Sequence, residues 1–414
     1  MKIATTALLV LTALAAPARA ADPAPAADWP QHLGPNRNGV SAEVGLIDAI
    51  PAGGPKEVWR IKGGVGMSGV AVARGLAVTL AHRNDRQKLV AVDALTGAAR
   101  WETELARPYK NQMGDGPRAT PTIAGDRVFA FTGEGILVAV SLADGKKLWS
   151  HDVPAELKGE PNEYGMASSP LVAGGQVIVS ANAPSGAVAA YDAETGKLAW
   201  TAGDEPAGYA SAALLTVGGK PQVVVPTGKS VLGIAPGDGK VLWRHPWETN
   251  YNCNTATPVA VDGRVLVSAG ENHGSALLAV DGAAAKPVWE SLGPRSVLRS
   301  EWQTPVLVNG HLYGFDNVGG AGPVSHLTCL DAATGARAWQ QARYGKGNLI
   351  AADGKLFIVT FDGELVIARA LPKGYAELGR AKVVGRTRQA PSLASGLLYL
   401  RDDEDVVCVD VRKR

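Results

Sequence analysis

The chain has 414 residues, and 41 Lys+Arg stand against 39 Asp+Glu for a formal net charge of +2. Near-balance excludes the basic stripe of a nucleic-acid surface, and 46% hydrophobic residues exclude a disordered chain. With 50 Gly and 26 Pro, the composition fits many short strands joined by tight turns and excludes an architecture of long helices.

Residues 1–20 read as a signal peptide. Lys2 starts it, Ile3 to Ala16 is apolar, and Ala18-Arg19-Ala20 is a small-x-small cleavage site. The apolar run is too short for a permanent span. The expectation is export to the periplasm or outside the cell, with cleavage after Ala20, no membrane span and, for want of a cysteine near that site, no lipid anchor. Residues 21–54 follow as a leader: Ala21 to Ala27 is a loose Pro/Ala stretch, and Trp29-Pro30-Gln31-His32-Leu33-Gly34 through Gly39 is a Gly/Pro-rich loop with one tryptophan anchor and no assigned chemistry.

From residue 55 onward the sequence repeats. Five segments place glycine four residues before tryptophan: Gly97/Trp101, Gly145/Trp149, Gly196/Trp200, Gly239/Trp243 and Gly335/Trp339. Three carry the fuller Asp-x-x-Thr-Gly turn, at Asp93, Asp192 and Asp331, and degenerate copies end at Trp59 and Trp289. Neighbouring tryptophans from Trp59 to Trp339 lie 42, 48, 51, 43, 46 and 50 residues apart. Each unit reads as four antiparallel strands, as in Thr120 to Phe131 with its Gly125-Asp126 turn, then Ile136 to Val140, then the Trp149 strand. Glycine allows the positive φ of the turn, Asp and Thr brace it, and the indole packs between neighbouring units. Repeats of this length and strand content predict an all-β, eight-bladed β-propeller over residues 55–414. Seven units are complete. The eighth is a composite of three strands after Ala390 and the lone Trp strand Lys56 to Ile61, closing the ring.

The Asp-x-x-Thr-Gly-x-x-x-Trp repeats resemble the tryptophan-docking motif of pyrroloquinoline-quinone (PQQ) repeat proteins, over about Trp29 to the end. The opening Trp29 to Gly39 is similar to an exported, BamB-like subgroup of these propellers. The family holds both binding modules and quinoprotein alcohol dehydrogenases, so the resemblance implies two functions. Against the dehydrogenase, the sequence has no adjacent cysteines and no Cys-x-x-Cys-His haem site, and it is shorter. The calcium ligands of those enzymes match no positions here. Cys253, Cys329 and Cys408 suggest no disulfide scaffold; Cys329 and Cys408 fall at matching strand positions and read as buried apolar residues.

Ligands of propellers sit at the channel mouth, ringed by the residues before each innermost strand. These give a candidate ligand-binding rim of Arg118, Tyr164, Tyr209, Asn252, Asn254, Trp302, Gln303, Lys346, Arg386 and Arg388. Arg and Lys suit an anion and the aromatic rings a planar ligand; equally, carbonyls and carboxylates could neutralise the cations while the rings fill the channel. Glu271-Asn272-His273 is the nearest approach to an acid/base pair, and Asp402-Asp403-Glu404-Asp405 reads as a solvated acidic turn. No histidines are spaced for a metal, and no Gly-x-Ser-x-Gly elbow occurs.

The reading is an exported monomeric binding module for a small anionic ligand or a protein segment, with no catalytic residue identified, no metal and no cofactor required. The alternative that the resemblance implies is an oxidoreductase using PQQ with calcium, where Arg118, Arg386 and Arg388 hold the quinone carboxylates and Trp302 stacks on it. A hydrolase or lyase using the channel is a third.

Overall fold

Glycine-centred turns cut the chain into short strands, and the computed structural model shows how they gather. It describes residues 28–319, 322 and 324–413; the expected signal peptide, the Ala21–Ala27 stretch and Arg414 lie outside them. The described strands form six four-stranded sheets and one eight-stranded sheet. A typical sheet runs Thr122–Ala124, Arg127–Phe131, Ile136–Ser141 and Lys147–Asp152, each strand antiparallel to the last. The first three are mostly buried, whereas the outermost is largely exposed. The core therefore lies between sheets: Ala71, Val78, Leu80 and Leu89 of one pack with Ile123, Val128 and Val138 of the next. Burial on both faces explains the nearly continuous Val/Ala/Leu runs of the inner strands. Sheets stacked face to face in chain order make a β-propeller. No described helix is long and apolar enough to cross a membrane.

The repeat glycines serve the preceding repeat's indole. Trp59 lies on Gly97, Trp101 on Gly145, Trp149 on Gly196, Trp200 on Gly239 and Trp289 on Gly335, where a Cβ would come within 2.6–2.9 Å of the ring or its neighbours. Each of these glycines has φ between +71° and +74°, so the position admits no side chain on two separate grounds. The indole N–H then donates across the seam: Trp59 to the Ala94 carbonyl at 2.9 Å, Trp101 to Leu142 at 2.9 Å and Trp289 to Ala332 at 3.0 Å. The turn bracing expected from sequence is present. The Asp93 carboxylate accepts from the amides of Leu95 and Thr96 and from the Thr96 hydroxyl, and Asp192 and Asp331 do the same for Thr195 and Thr334.

One seam differs. The repeat after Trp243 lacks the Asp-x-x-Thr-Gly turn, and Trp243 turns into its own sheet, against Gly233 and the Gln222 side chain. There the edge strands Val241–Pro246 and Ala284–Leu292 touch through a parallel bridge, Arg244 to Ala284, which joins two four-strand units into the eight-stranded sheet. Lys56–Lys62 pairs antiparallel with Asp405–Asp410, with Trp59 opposite Cys408, in a sheet completed by Leu397–Arg401 and Ser392–Ala394. A four-residue helix, Val153–Glu156, was not expected from sequence; Asp152 caps it and Pro154 sits in its first turn.

Replacing Gly145 by Ala should cost more stability than replacing Gly125. Both have positive φ, +72° and +61°, but a Cβ at 145 would lie 2.6 Å from Trp101 and one at 125 would meet nothing within 4 Å. Urea unfolding should show about 1–2 kcal/mol lost at Gly125 from backbone strain, and at least about 1 kcal/mol more at Gly145. Equal losses would remove the docking role of the glycine.

Candidate functional site

Residues just ahead of the innermost strands are tied sheet to sheet by hydroxyls. The Gly69 amide donates to the Thr120 hydroxyl (3.1 Å), Thr120 to Ser169 (3.0 Å), Ser169 to Ser211 (2.9 Å) and Thr257 to Thr304 (3.0 Å). This collar fixes the backbone from which the rim side chains project.

Below the collar, the segment from Trp29 to Ile47 crosses from sheet to sheet. Trp29 exchanges two backbone hydrogen bonds with Val72, and the Pro30 carbonyl accepts from Ile123. Arg37 donates to the Ser169 and Pro170 carbonyls, both at 2.8 Å, and His32 lies 3.4 Å from the Thr257 hydroxyl. Gly39 and Ser41 bond to Ala351, and Ile47 bonds to Val411. Trp29, Leu33, Arg37 and Leu46 are buried. Sequence reasoning gave this segment no chemistry because it follows no period; its signals were a tryptophan outside the repeat and the likeness of Trp29 to Gly39 to the BamB-like subgroup.

The result is a cup of about 420 Å³ with Trp29, Gln31, His32 and Leu33 as its floor. Of the residues expected at the rim, Arg118, Tyr164, Tyr209, Trp302 and Arg388 line it. Tyr164 and Tyr209 stack with ring centres 5.7 Å apart. Trp302 has Lys346 at 4.2 Å and Arg388 at 4.9 Å from its ring centre. Arg118 donates to the Gly114 and Tyr164 carbonyls, and Arg388 to the Met113 carbonyl at 2.6 Å. Lys346 is off the lining, paired with the buried Glu301 carboxylate at 3.0 Å. Burial raises the Glu301 carboxyl while Lys346 pulls it back down.

Besides Lys346, four more expected residues lie off the cup. Asn254 is buried in the loop, donating to the Thr227 and Trp247 carbonyls. Asn252 packs over Gly228, and Gln303 is buried against Ser300 and Phe315. Arg386 is 78% exposed beside Asp362. The remainder of the lining includes Met67, Met113, Tyr251, Cys253 and Glu271. Burial, with Glu271, Glu301 and Glu163 nearby, pushes the Cys253 thiol up to about 12, which leaves it a protonated, poor nucleophile. Glu271 and His273 do not work as a pair: Glu271 faces the cup, whereas the His273 ring packs edge-on to Trp247 at 4.3 Å. The acidic turn is occupied by its own loop, with Asp402 accepting from Glu404 and Asp405 amides and Asp405 pairing with Arg60 and Lys62.

Four lining residues hold left-handed backbone without being glycine: Leu33 (φ 58°), Tyr251 (φ 58°), Glu271 (φ 52°) and Trp302 (φ 57°). For bulky residues this is costly, and such strain concentrates where a side chain must be aimed.

Face-to-face sheets, docked indoles and a central cup define a PQQ-type repeat β-propeller. The chain matches the family model PQQ_2, described as outer membrane protein assembly factor BamB, over residues 43–163 and 112–341, and it belongs to that family. Over 358 residues it is 24% identical to outer membrane protein assembly factor BamB of Bordetella pertussis, covering 85% of this chain and 86% of that one. It is 32% identical to quinohemoprotein alcohol dehydrogenase ADH IIB of Pseudomonas putida over 120 residues, 27% of this chain and only 17% of the enzyme's length. The crystal structure of quinohemoprotein alcohol dehydrogenase from Comamonas testosteroni superposes with a TM-score of 0.70 at 16% identity, covering 94% of this chain and 81% of that one, a likeness of fold.

The floor should loosen in acid. Burial, with the Arg37 charge adding, pushes the His32 imidazole from its usual 6.5 down to about 3. The unfolded chain takes up a proton near pH 6.5 and the folded floor does not, so the stability is complete above pH 6.5. It is lost as pH falls toward 3, at up to about 1.4 kcal/mol per pH unit. Urea unfolding at pH 7 and pH 5 should show a smaller pH-dependent loss in His32→Gln than in the natural protein.

Proposed function

We propose that the protein is an exported, eight-bladed propeller over residues 55–414 that binds a small anionic ligand or a protein segment in the cup on its loop-rich face. The observation that carries this reading is the cup: floored by residues 29–33, walled by Arg118, Arg388 and the Tyr164/Tyr209 pair, and open past the strained Tyr251, Glu271 and Trp302. A concave site of this volume with few convergent polar groups suits a small ligand. In this reading the paired Lys56–Lys62 and Asp405–Asp410 strands close the eighth blade. Catalysis is not part of it. Cys253 is held as a thiol, Glu301 is neutralised by Lys346, and Glu271 is separated from His273.

The oxidoreductase alternative draws on Trp302, whose ring lies beneath two cations and could stack on a flat anion. The fit to PQQ with calcium is incomplete. Among the described residues no three His, Cys, Asp or Glu side chains gather where a metal ion could be held. A hydrolase or lyase would need an acid/base pair facing the cup, and the carboxylate there with a close basic partner, Glu301, is committed to an ion pair.

Titration with PQQ, read by tryptophan fluorescence, tests the binding reading. Calcium-independent binding without dye-linked alcohol oxidation supports it, with Trp302→Ala weakening binding at least about tenfold. Calcium-dependent binding with dye-linked oxidation would replace it by the oxidoreductase. Ring closure is tested separately by Trp59→Ala, which should cost about 3–5 kcal/mol. Hydrogen exchange should then rise together in Leu76–Arg83 and Leu397–Arg401; loss of protection confined to Lys56–Lys62 would argue against closure.

A further inference from the structure

The three cations around the cup are not equivalent. Lys346 is spent on the Glu301 carboxylate at 3.0 Å. Arg118 donates from all three nitrogens to backbone carbonyls: Nε to Tyr164, Nη1 to Gly116 and Nη2 to Gly114. Arg388 uses only one nitrogen. Its Nη1 donates to the Met113 carbonyl at 2.6 Å and meets the Met67 sulfur at 3.4 Å. Its Nε and Nη2 find no partner among the described residues and stay accessible. The group is nevertheless held in place. Its central carbon lies 4.9 Å from the Trp302 ring centre and 5.8 Å from that of Phe361. The Arg388 amide donates to the Gln389 side chain at 3.2 Å, and its carbonyl accepts from Asn348 at 2.8 Å. What remains is the side edge of a planar fork, which takes a carboxylate through two parallel bonds. Four described arginines use that same edge, Nε with Nη2, on one carboxylate: Arg60 on Glu57, Arg299 on Asp316, Arg380 on Glu377 and Arg412 on Asp410.

Charge and surface set the rest of the ligand. With His32 neutral, the lining and Lys346 together carry Arg118, Arg388 and Lys346 against Glu271 and Glu301, so one negative charge completes the balance and two exceed it. Glu301 stands on the same wall as Arg388 but is already paired. Much of the remaining lining is apolar or aromatic: Leu33, Met67, Met113, Tyr251 and the stacked Tyr164 and Tyr209. We infer that the cup takes an organic monocarboxylate with an apolar ring body, its carboxylate held by Nε and Nη2 of Arg388 and its body set against the tyrosines and methionines. This rests on the cup being the binding site, and it narrows the anion to one charge in one place. Arg118, its nitrogens spent on carbonyls, shapes the wall instead of holding the ligand's charge.

Calorimetric titration with biphenylcarboxylate, biphenylcarboxamide, biphenyldicarboxylate and PQQ tests it. The monocarboxylate should bind, and the carboxamide, the same body without the charge, should bind about tenfold or more weakly. The dicarboxylate should bind no tighter than the monocarboxylate. Arg388→Met should erase the preference for monocarboxylate over carboxamide while leaving the carboxamide affinity unchanged, the mark of an intact cup. Arg388→Lys keeps the charge without the fork and should retain part of the preference, whereas Arg118→Lys should keep it in full. Equal affinity for monocarboxylate and carboxamide, a dicarboxylate bound more than about tenfold tighter, or binding of PQQ alone overturns the single carboxylate and leaves the cup as a site. Binding of none of the four overturns the cup reading itself.

Discussion

Five repeats reserve a glycine for the indole of the repeat before, and that contact sets the spacing of most of the molecule. A sheet of four short strands cannot bury both faces alone; it needs a neighbour on each side at a fixed distance. The indole supplies area, an N–H aimed at a carbonyl of the next sheet, and a flat face that only a glycine can meet. Where the glycine turn is missing, after Trp243, the neighbouring sheets meet edge to edge instead, through the Arg244–Ala284 bridge.

The cup follows from the same spacing. Wedges docked at their outer strands leave an open centre, and two devices finish it. Hydroxyls at Thr120, Ser169, Ser211 and Thr304 link the inner ends, and the Trp29 to Ile47 segment spans the opening beneath. The buried Arg37 donates there to two backbone carbonyls and to the Gln31 side-chain oxygen, so the floor depends on local hydrogen-bond geometry more than on charge pairing.

The strand order was legible because each repeat carries its own turn chemistry: Asp93, Thr96, Gly97 and Trp101 are read in one glance and do locally what their types suggest. What could not be read was the partner of each tryptophan, since the glycine four residues before it and the one about forty residues after it are equally visible in sequence. Within the rim, position gave the segments but not the direction of side chains. Arg386 and Arg388 are two residues apart on one stretch; one reaches solvent and the other the cup. Asn252, Asn254 and Gln303 were chosen for their chemistry, but Asn254 spends its amide on the Thr227 and Trp247 carbonyls, Gln303 on the Ser300 hydroxyl and the Phe315 carbonyl, and Asn252 packs over Gly228. The floor was invisible because an aperiodic segment declares its contacts only once the periodic part has been built around it.

The floor segment also governs when the molecule is finished. Its residues precede the repeats, yet they bond to Val72, Ile123, Ser169, Ala351 and Val411, the last only two residues before the last one described. Lys56–Lys62 waits for Asp405–Asp410 in the same way. A chain emerging N-terminus first can stack its middle sheets as they appear, but Ile47 and Lys56–Lys62 stay without these partners until residues 405–411 arrive. Contacts of such long sequence separation form late. The sheets are therefore laid down as a row before Lys56–Lys62 and Asp405–Asp410 join the two ends of the chain, and a chain lacking residues 405–411 would keep its middle sheets while losing that pairing and the Ile47 anchor of the floor segment.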